Sequence, residues 1–239
     1  MFVEQELLDK FLQIVGGVNE KDVNSLQKAF KDIKSITGAI GTESMQSILD
    51  AIIRSLPEMA HKLGKEAPKV VINDHNIRFL QDIAPVIKNV LTHSFRNAMD
   101  HGLETSAERK AHGKPEVGTI TVDVTQVGDH TAILISDDGR GLAVNKLKQK
   151  AIQNDTLNAK GDISDHDLSE LIFQSGLTTA DSVSDISGRG VGMDAIRKFV
   201  EKAGGKVDIR FKQKPKPDSE YLPFTLNITL PSSCTKQIA

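Results

Sequence analysis

Apolar residues first recur at helical spacing. Leu7, Leu8, Phe11, Leu12 and Val15 stand three and four apart, until Gly16 and Gly17 interrupt the series. A second helical stretch is expected to start near Asp22. A third carries Met45, Ile48, Leu49, Ile52, Ile53 and Leu56 on one face. Residues 1–64 therefore read as a helical hairpin region without a strand signal, whose apolar stripe needs a partner. The Met45–Leu56 stripe suits intrachain core or a dimer seam. The seam is the expectation, because a short hairpin has little of its own to bury against.

The pattern changes after Lys65. Lys69 to Ile72 is a short β-branched run, and a long helix is then predicted from about Ile77 to His101, with Pro85 near one end. Two strands follow, Thr119–Val127 and Thr131–Ser136, with Gly128-Asp129 as a tight hairpin turn. Helical pieces are expected near Val144–Gln153 and Asp167–Phe173. Another helix begins about Val191 and stops at Gly204-Gly205. Strands Lys206–Phe211 and Phe224–Leu230 close the chain. Strands that come as neighbouring hairpins, with helices between them, predict an α+β fold. Its mixed, mostly antiparallel sheet has helices on one face, and a doubly wound parallel sheet is disfavoured.

Composition narrows the functions. A length of 239 residues, 38% hydrophobic and 26% charged, suits a globular chain with a sizeable core. The net charge of -2, the absence of tryptophan and the 4% aromatic content argue against a nucleic-acid surface. No apolar run approaches the roughly 20 residues needed to cross a bilayer. The start MFVEQELLDKF lacks a secretory layout, and the single Cys234 has no intrachain partner, so a cytoplasmic location is expected.

Three constellations can carry chemistry. In HSFRNAMDHG, His93, Asn97 and His101 fall at i, i+4 and i+8 of a helix, opposite the Leu91–Phe95–Ala98 stripe. An asparagine oxygen suits a hard cation such as Mg²⁺, and an imidazole can orient or deprotonate an attacking group. The same face reads equally well as solvated surface. In ISDDGRGL, Asp137 ends a strand where it can accept from an exocyclic amine, and the glycines let backbone approach a flat ligand. A plain turn reads the same way. In SGRGVGMDAI, backbone N–H groups opening a helix suit phosphate oxygens, with Arg189 adding charge. That stretch is neither a Walker loop nor a dinucleotide fingerprint.

The order of the three is distinctive. Helix with His and Asn, strand with DxGxG, then GxGxG opening a helix resembles the ATPase family shared by histidine kinases, DNA gyrase, Hsp90 and MutL. HSFRNAMDHGLETSAERKAHGKPEVGTI, FQSGLTTADSVSDISGRGVGMDAI and LPEMAHKLGKE are most similar to the CheA-type histidine kinases, over about residues 45–231.

The resemblance implies ATP held between helices and sheet under a mobile lid of about residues 142–187, packed with the help of Phe173. It implies that Asn97 coordinates the Mg²⁺ on the phosphates and that His93, where gyrase-like relatives have a glutamate, assists transfer. Arg96 and His101 are then expected near the phosphates, and Asp137 on the adenine amine between Gly139 and Gly141. Gly188, Arg189, Gly190 and Gly192 are expected at the phosphate loop, and Thr225 on the adenine side.

The implied activity is transfer of the ATP γ-phosphoryl group to a histidine of a phosphotransfer domain, feeding a response regulator. Residues 1–64 would dimerise and residues 65–239 would bind ATP. Lys31 stands where a phosphotransfer helix would carry its histidine, so the acceptor is expected on another chain or another part of a longer protein. The segment KQKPKPDSEYLPF replaces the family's usual glycine-threonine turn. A gyrase- or MutL-like ATPase, and a non-catalytic nucleotide-binding module that regulates a partner, remain the alternatives.

Overall fold

The computed structural model describes residues 2–19, 21–153, 165–173, 193–213 and 220–238. Helices α1 (Phe2–Gly16) and α2 (Val23–Ala39) pack against each other. The Asp22 side chain starts α2 by accepting the Asn24 N–H at 3.0 Å. A short strand β1 (Thr42–Ser44) follows, and the Ser44 hydroxyl caps α3 (Met45–Lys62) by accepting the Ser47 N–H at 3.1 Å. Gly64, at φ +64, stops α3. The Lys65 N–H reaches back to the Ala60 carbonyl and the Gly64 N–H to the His61 carbonyl, a Schellman ending.

The remaining elements are β2 (Lys69–Asn73), β3 (Ile77–Leu80), α4 (Ala84–Asn97), a π-helical turn Ala98–Gly102 and α5 (Ser106–Ala111). Then come β4 (Thr119–Val127), β5 (His130–Asp137), β6 (Leu142–Ala143), α6 (Val144–Gln153), α7 (Asp165–Ile172) and α8 (Met193–Lys202). Strands β7 (Lys206–Phe211), β8 (Tyr221–Leu222), β9 (Phe224–Pro231) and β10 (Thr235–Gln237) complete the described chain.

The main sheet has the order β2-β4-β5-β9-β7, with β2 parallel to β4 and every other pairing antiparallel. Gly128, at φ +60, makes the expected hairpin turn between β4 and β5. Alternate strand residues Ile120, Val122, Ile133, Ile135, Leu226 and Ile228 pack with α3, α4 and α8 in one core. The α+β sandwich with helices on one face is therefore as the sequence pattern predicts.

Two expectations need correction. The Met45–Leu56 stripe is not a dimer seam: Met45 and Leu49 are 0% exposed and lie in the same core as Ile87, Leu91 and Phe95 of α4. The physical cause is β1, which pairs antiparallel with β3 and draws α3 onto α4. Three polar residues, Thr-Glu-Ser, carry no apolar alternation by which β1 could have been seen. The second correction concerns the long helix. Ile77 and Phe79 alternate in burial with Arg78 and Leu80 in the central strand of a small β1-β3-β10 sheet, so the helix begins only at Ala84, with Pro85 in its first turn.

A second, smaller apolar cluster joins Val144 and Leu147 of α6, Leu168 and Leu171 of α7, and Leu222 of β8. It underlies the part of the expected lid that is described. Residues 154–164 and 174–192 lie outside the described residues.

Because α3 is intrachain core, Leu49→Ala is expected to cost about 2–5 kcal/mol of stability in urea unfolding. The mass measured by sedimentation should be unaltered by that substitution.

Candidate functional site

Helix α4 buries Ile87, Val90, Leu91 and Phe95, which turns His93 half outward and leaves Asn97 exposed at its last position. Burial first, and the nearby Arg96 charge second, pull the His93 imidazole below its ordinary pKa, so the neutral ring is favoured. The helix then widens. The Leu103 N–H closes a π-type bond to the Ala98 carbonyl at 2.7 Å. Such turns recur at functional sites. This one moves His101 off the straight i+8 line with His93 and Asn97 that a regular helix predicts. The Asn97 amide nitrogen lies 3.7 Å from Met193 Sδ, so the end of α4 meets the first residue of α8.

Asp137 is the last residue of β5, and its Oδ1 accepts the Gly139 N–H at 2.9 Å. Burial raises the pKa of its carboxyl, opposed by that N–H and by the Lys212 cation. The following loop runs directly against the π-turn: the Arg140 N–H donates to the Gly102 carbonyl at 3.0 Å. A Cβ on Gly139 would collide with that carbonyl and with the Asp137 carboxylate, which is why glycine stands there. Gly141, at φ +87, would likewise drive a Cβ into the Leu222 carbonyl. The Arg140 Nε donates to the His101 carbonyl at 3.1 Å, and its guanidinium lies 5.3 Å from the Tyr221 ring centroid.

Sequence reasoning missed what holds this loop from behind. Arg109 of α5 is 1% exposed and donates to Glu104 Oε2 at 3.2 Å, Asp138 Oδ2 at 2.9 Å and the Pro115 carbonyl at 2.6 Å. Lys114 donates to Glu104 Oε1 at 2.6 Å and to the Asp138 and Gly139 carbonyls at 3.0 Å each. Asp138 Oδ1 also accepts the Thr119 N–H at 2.9 Å. Each buried charge thus has partners, as burial demands. In the sequence these residues sit in a charge-rich stretch that reads as solvated surface. Only the contact with a strand end nineteen or more residues away reveals their work.

Thr225 is not brought to Asp137. It lies opposite Ser136 in the register, and directly paired residues share a face while successive residues alternate. Its side chain therefore stands on the sheet face away from Asp137. Phe224, its neighbour, takes the helix-covered side. Arg96 is half-buried on α4 beside His93. Gly188, Arg189, Gly190 and Gly192 lie outside the described residues. Phe173 is 4% exposed, with the Arg197 guanidinium 4.1 Å above its ring. The same Arg197 grips Glu170 through two bonds of 2.8 and 2.7 Å, which ties α7 to α8.

The residues fit a purine nucleotide with its cation. A half-buried carboxylate with acceptor capacity beyond the Gly139 N–H suits an exocyclic amine. Among the described residues no three His, Cys, Asp or Glu side chains gather as a metal cluster. A hard cation held by the Asn97 oxygen would take its remaining ligands from phosphate and water, as Mg²⁺ does. No helix among the described residues is long and apolar enough to cross a membrane.

Together, the fold and site define a nucleotide-binding α/β sandwich. Residues 82–232 match the family described as histidine kinase-, DNA gyrase B- and HSP90-like ATPase, and the chain belongs to that family. It is 32% identical to the chemotaxis protein CheA of Rhizobium meliloti over 95% of this chain and 33% of that protein. It is 34% identical to the gliding motility regulatory protein of Myxococcus xanthus over 80% of this chain and 25% of that protein. Identity to the chemotaxis protein CheA of Halobacterium salinarum is 33%, over 86% and 29% respectively. The chain thus spans a quarter to a third of the length of these relatives.

A raised folded-state pKa means that ionising Asp137 opposes folding. Its contribution to stability is fully present below the unfolded carboxylate pKa and is lost as pH rises through the folded one. Asp137→Asn is therefore expected to be at least as stable as the wild type at neutral pH in thermal unfolding, with the difference shrinking in acid. Adenine nucleotide binding should nevertheless fall in the variant. In the wild type it should weaken at a higher pH than an ordinary carboxylate would impose.

Proposed function

We propose that this chain is the ATP-dependent catalytic core of a protein-histidine kinase in chemotaxis-like two-component signalling. It would transfer the ATP γ-phosphoryl group to a histidine of a phosphotransfer domain on another part of the protein or another chain, for passage to a response regulator. The observation that carries this reading is the joining of the Asn97 helix end to the Asp137 loop through the Arg140–Gly102 hydrogen bond. Asn97 and the Asp137 loop thereby stand at the two ends of one π-turn, which supports their reading as cation ligand and amine acceptor.

In this reading Asp137 accepts the adenine amine, with Gly139 and Gly141 shaping the floor. Asn97 ligates Mg²⁺. Bound Mg²⁺ supplies charge neutralisation on the phosphate oxygens. His93, kept neutral by its surroundings, orients the incoming acceptor by hydrogen bonding. Arg96, His101, Arg189 and the glycines at 188, 190 and 192 line the phosphate side. Water exclusion by the lid favours transfer over hydrolysis. The protein acts in the cytoplasm. The dimerising surface is confined to α1 and α2, where Leu8, Leu12, Val23, Leu26 and Phe30 stay exposed, Phe30 by 73%. Helix α3 belongs with the ATP-binding part.

Calorimetric titration of Mg-ATP tests the reading. The wild type should bind, and Asn97→Ala should weaken Mg-ATP about tenfold or more while altering metal-free ATP far less. No binding to the wild type sinks the reading. Rapid ATP turnover without an acceptor protein would favour a gyrase-like ATPase instead. Phe30→Asp is expected to shift the chain from dimer to monomer in sedimentation, because a charge would have to be buried at the paired hairpins.

A further inference from the structure

The turn that joins the two halves of the site is itself unusual. A π-turn closes a wider i→i+5 ring than an α-turn and is rare. At the end of α4 the carbonyls of Met99 and Asp100 point where a continuing helix would have supplied N–H donors. The chain turns away at Leu103 instead, in extended backbone at φ −72, ψ 135.

Both carbonyls meet one side chain from far upstream. Lys65 Nζ lies 2.5 Å from the Met99 carbonyl and 3.2 Å from the Asp100 carbonyl. The backbone of Lys65 is itself fixed, since its N–H closes the Schellman ending of α3 on the Ala60 carbonyl at 3.0 Å. The residue is therefore anchored at its main chain by α3 and at its ammonium by the π-turn. Its role in the sequence was hidden, because a lysine after a glycine stop reads as solvated surface.

We infer that Lys65 is a positioning residue for the nucleotide site, holding the π-turn open so that Asn97 and the Gly102 carbonyl keep their places at its two ends. This rests on the proposed nucleotide-binding reading. Half-burial is the first cause lowering the Lys65 pKa, with the Arg140 charge adding to it and nearby acidic groups opposing it. Without the ammonium, the Met99 and Asp100 carbonyls lose charge-assisted bonds. The turn can then tighten toward α-helix, which would carry His101 and Gly102 away from Arg140 and Gly139.

The test uses the whole chain with Lys65→Met and Lys65→Arg, reading fluorescent ADP and Mg-ATP binding beside hydrogen exchange at the Leu103 amide. Lys65→Met should bind both nucleotides about tenfold more weakly and lose protection at Leu103, with Lys65→Arg restoring affinity to within about threefold. A purely structural lysine would lower the melting temperature without selective exposure of that amide. Unchanged affinity and protection in Lys65→Met overturn the inference. So does equal loss in Lys65→Arg, because a guanidinium also reaches two carbonyls. If Lys65→Met does not fold, Lys65→Gln, which keeps one donor at shorter reach, is read by the same criteria. If the wild type binds no nucleotide, the kinase reading fails, and the Leu103 exchange alone then decides the role of Lys65.

Discussion

The hydrogen bond from the Arg140 N–H to the Gly102 carbonyl is the contact on which the rest of the site depends. It can form only because two backbones touch with no side chain between them, and Gly139 makes that approach possible. Everything around it keeps the two backbones in place. Core packing presses α4 onto the sheet from one side, and the Arg109–Glu104–Lys114 cluster holds the loop from the other. Its charges are satisfied by one another and by the loop carbonyls, which ties the loop to α5. That is what a binding site requires of it.

The helical segment at the N-terminal side is split in purpose. Helices α1 and α2 leave an apolar face exposed, while α3 is fully enlisted in the core and ends in the Schellman turn that anchors Lys65. The division follows from β1. Three strand residues paired with β3 suffice to pull the next helix onto α4, and the helix before it is left outside. Lys65 thus connects the end of α3 to the π-turn.

In the segment expected to form a lid, the described pieces form their own small core from Val144, Leu147, Leu168 and Leu171, with Leu222 of β8. It is joined to the main body by the Arg197 grip on Glu170 and its stacking on Phe173. Arg197 lies on α8, the helix that the glycine-rich stretch opens and whose first residue touches Asn97. The described part of the expected lid and the end of α4 thus both contact α8.

Much of this protein was legible in the sequence alone. The hairpin β4–β5, strands β7 and β9, the helices from Val144 onward and the motif order around Asn97 and Asp137 all follow from local periodicity and turn chemistry. These are properties of neighbouring residues. What only the tertiary structure decided is non-local. Strand β1 has no periodic signal, so the enlistment of α3 was invisible. Ile77–Leu80 looked helical until β1 and β10 flanked it. The face of Thr225 depended on a strand register that a one-residue offset reverses. The buried charges of Glu104 and Arg109, the half-buried Lys114 and the reach of Lys65 depend on partners up to 35 residues away. Sequence records which groups a site can use. Which groups meet is set by packing, because charge and hydrogen-bonding capacity are satisfied across the fold and leave no local trace.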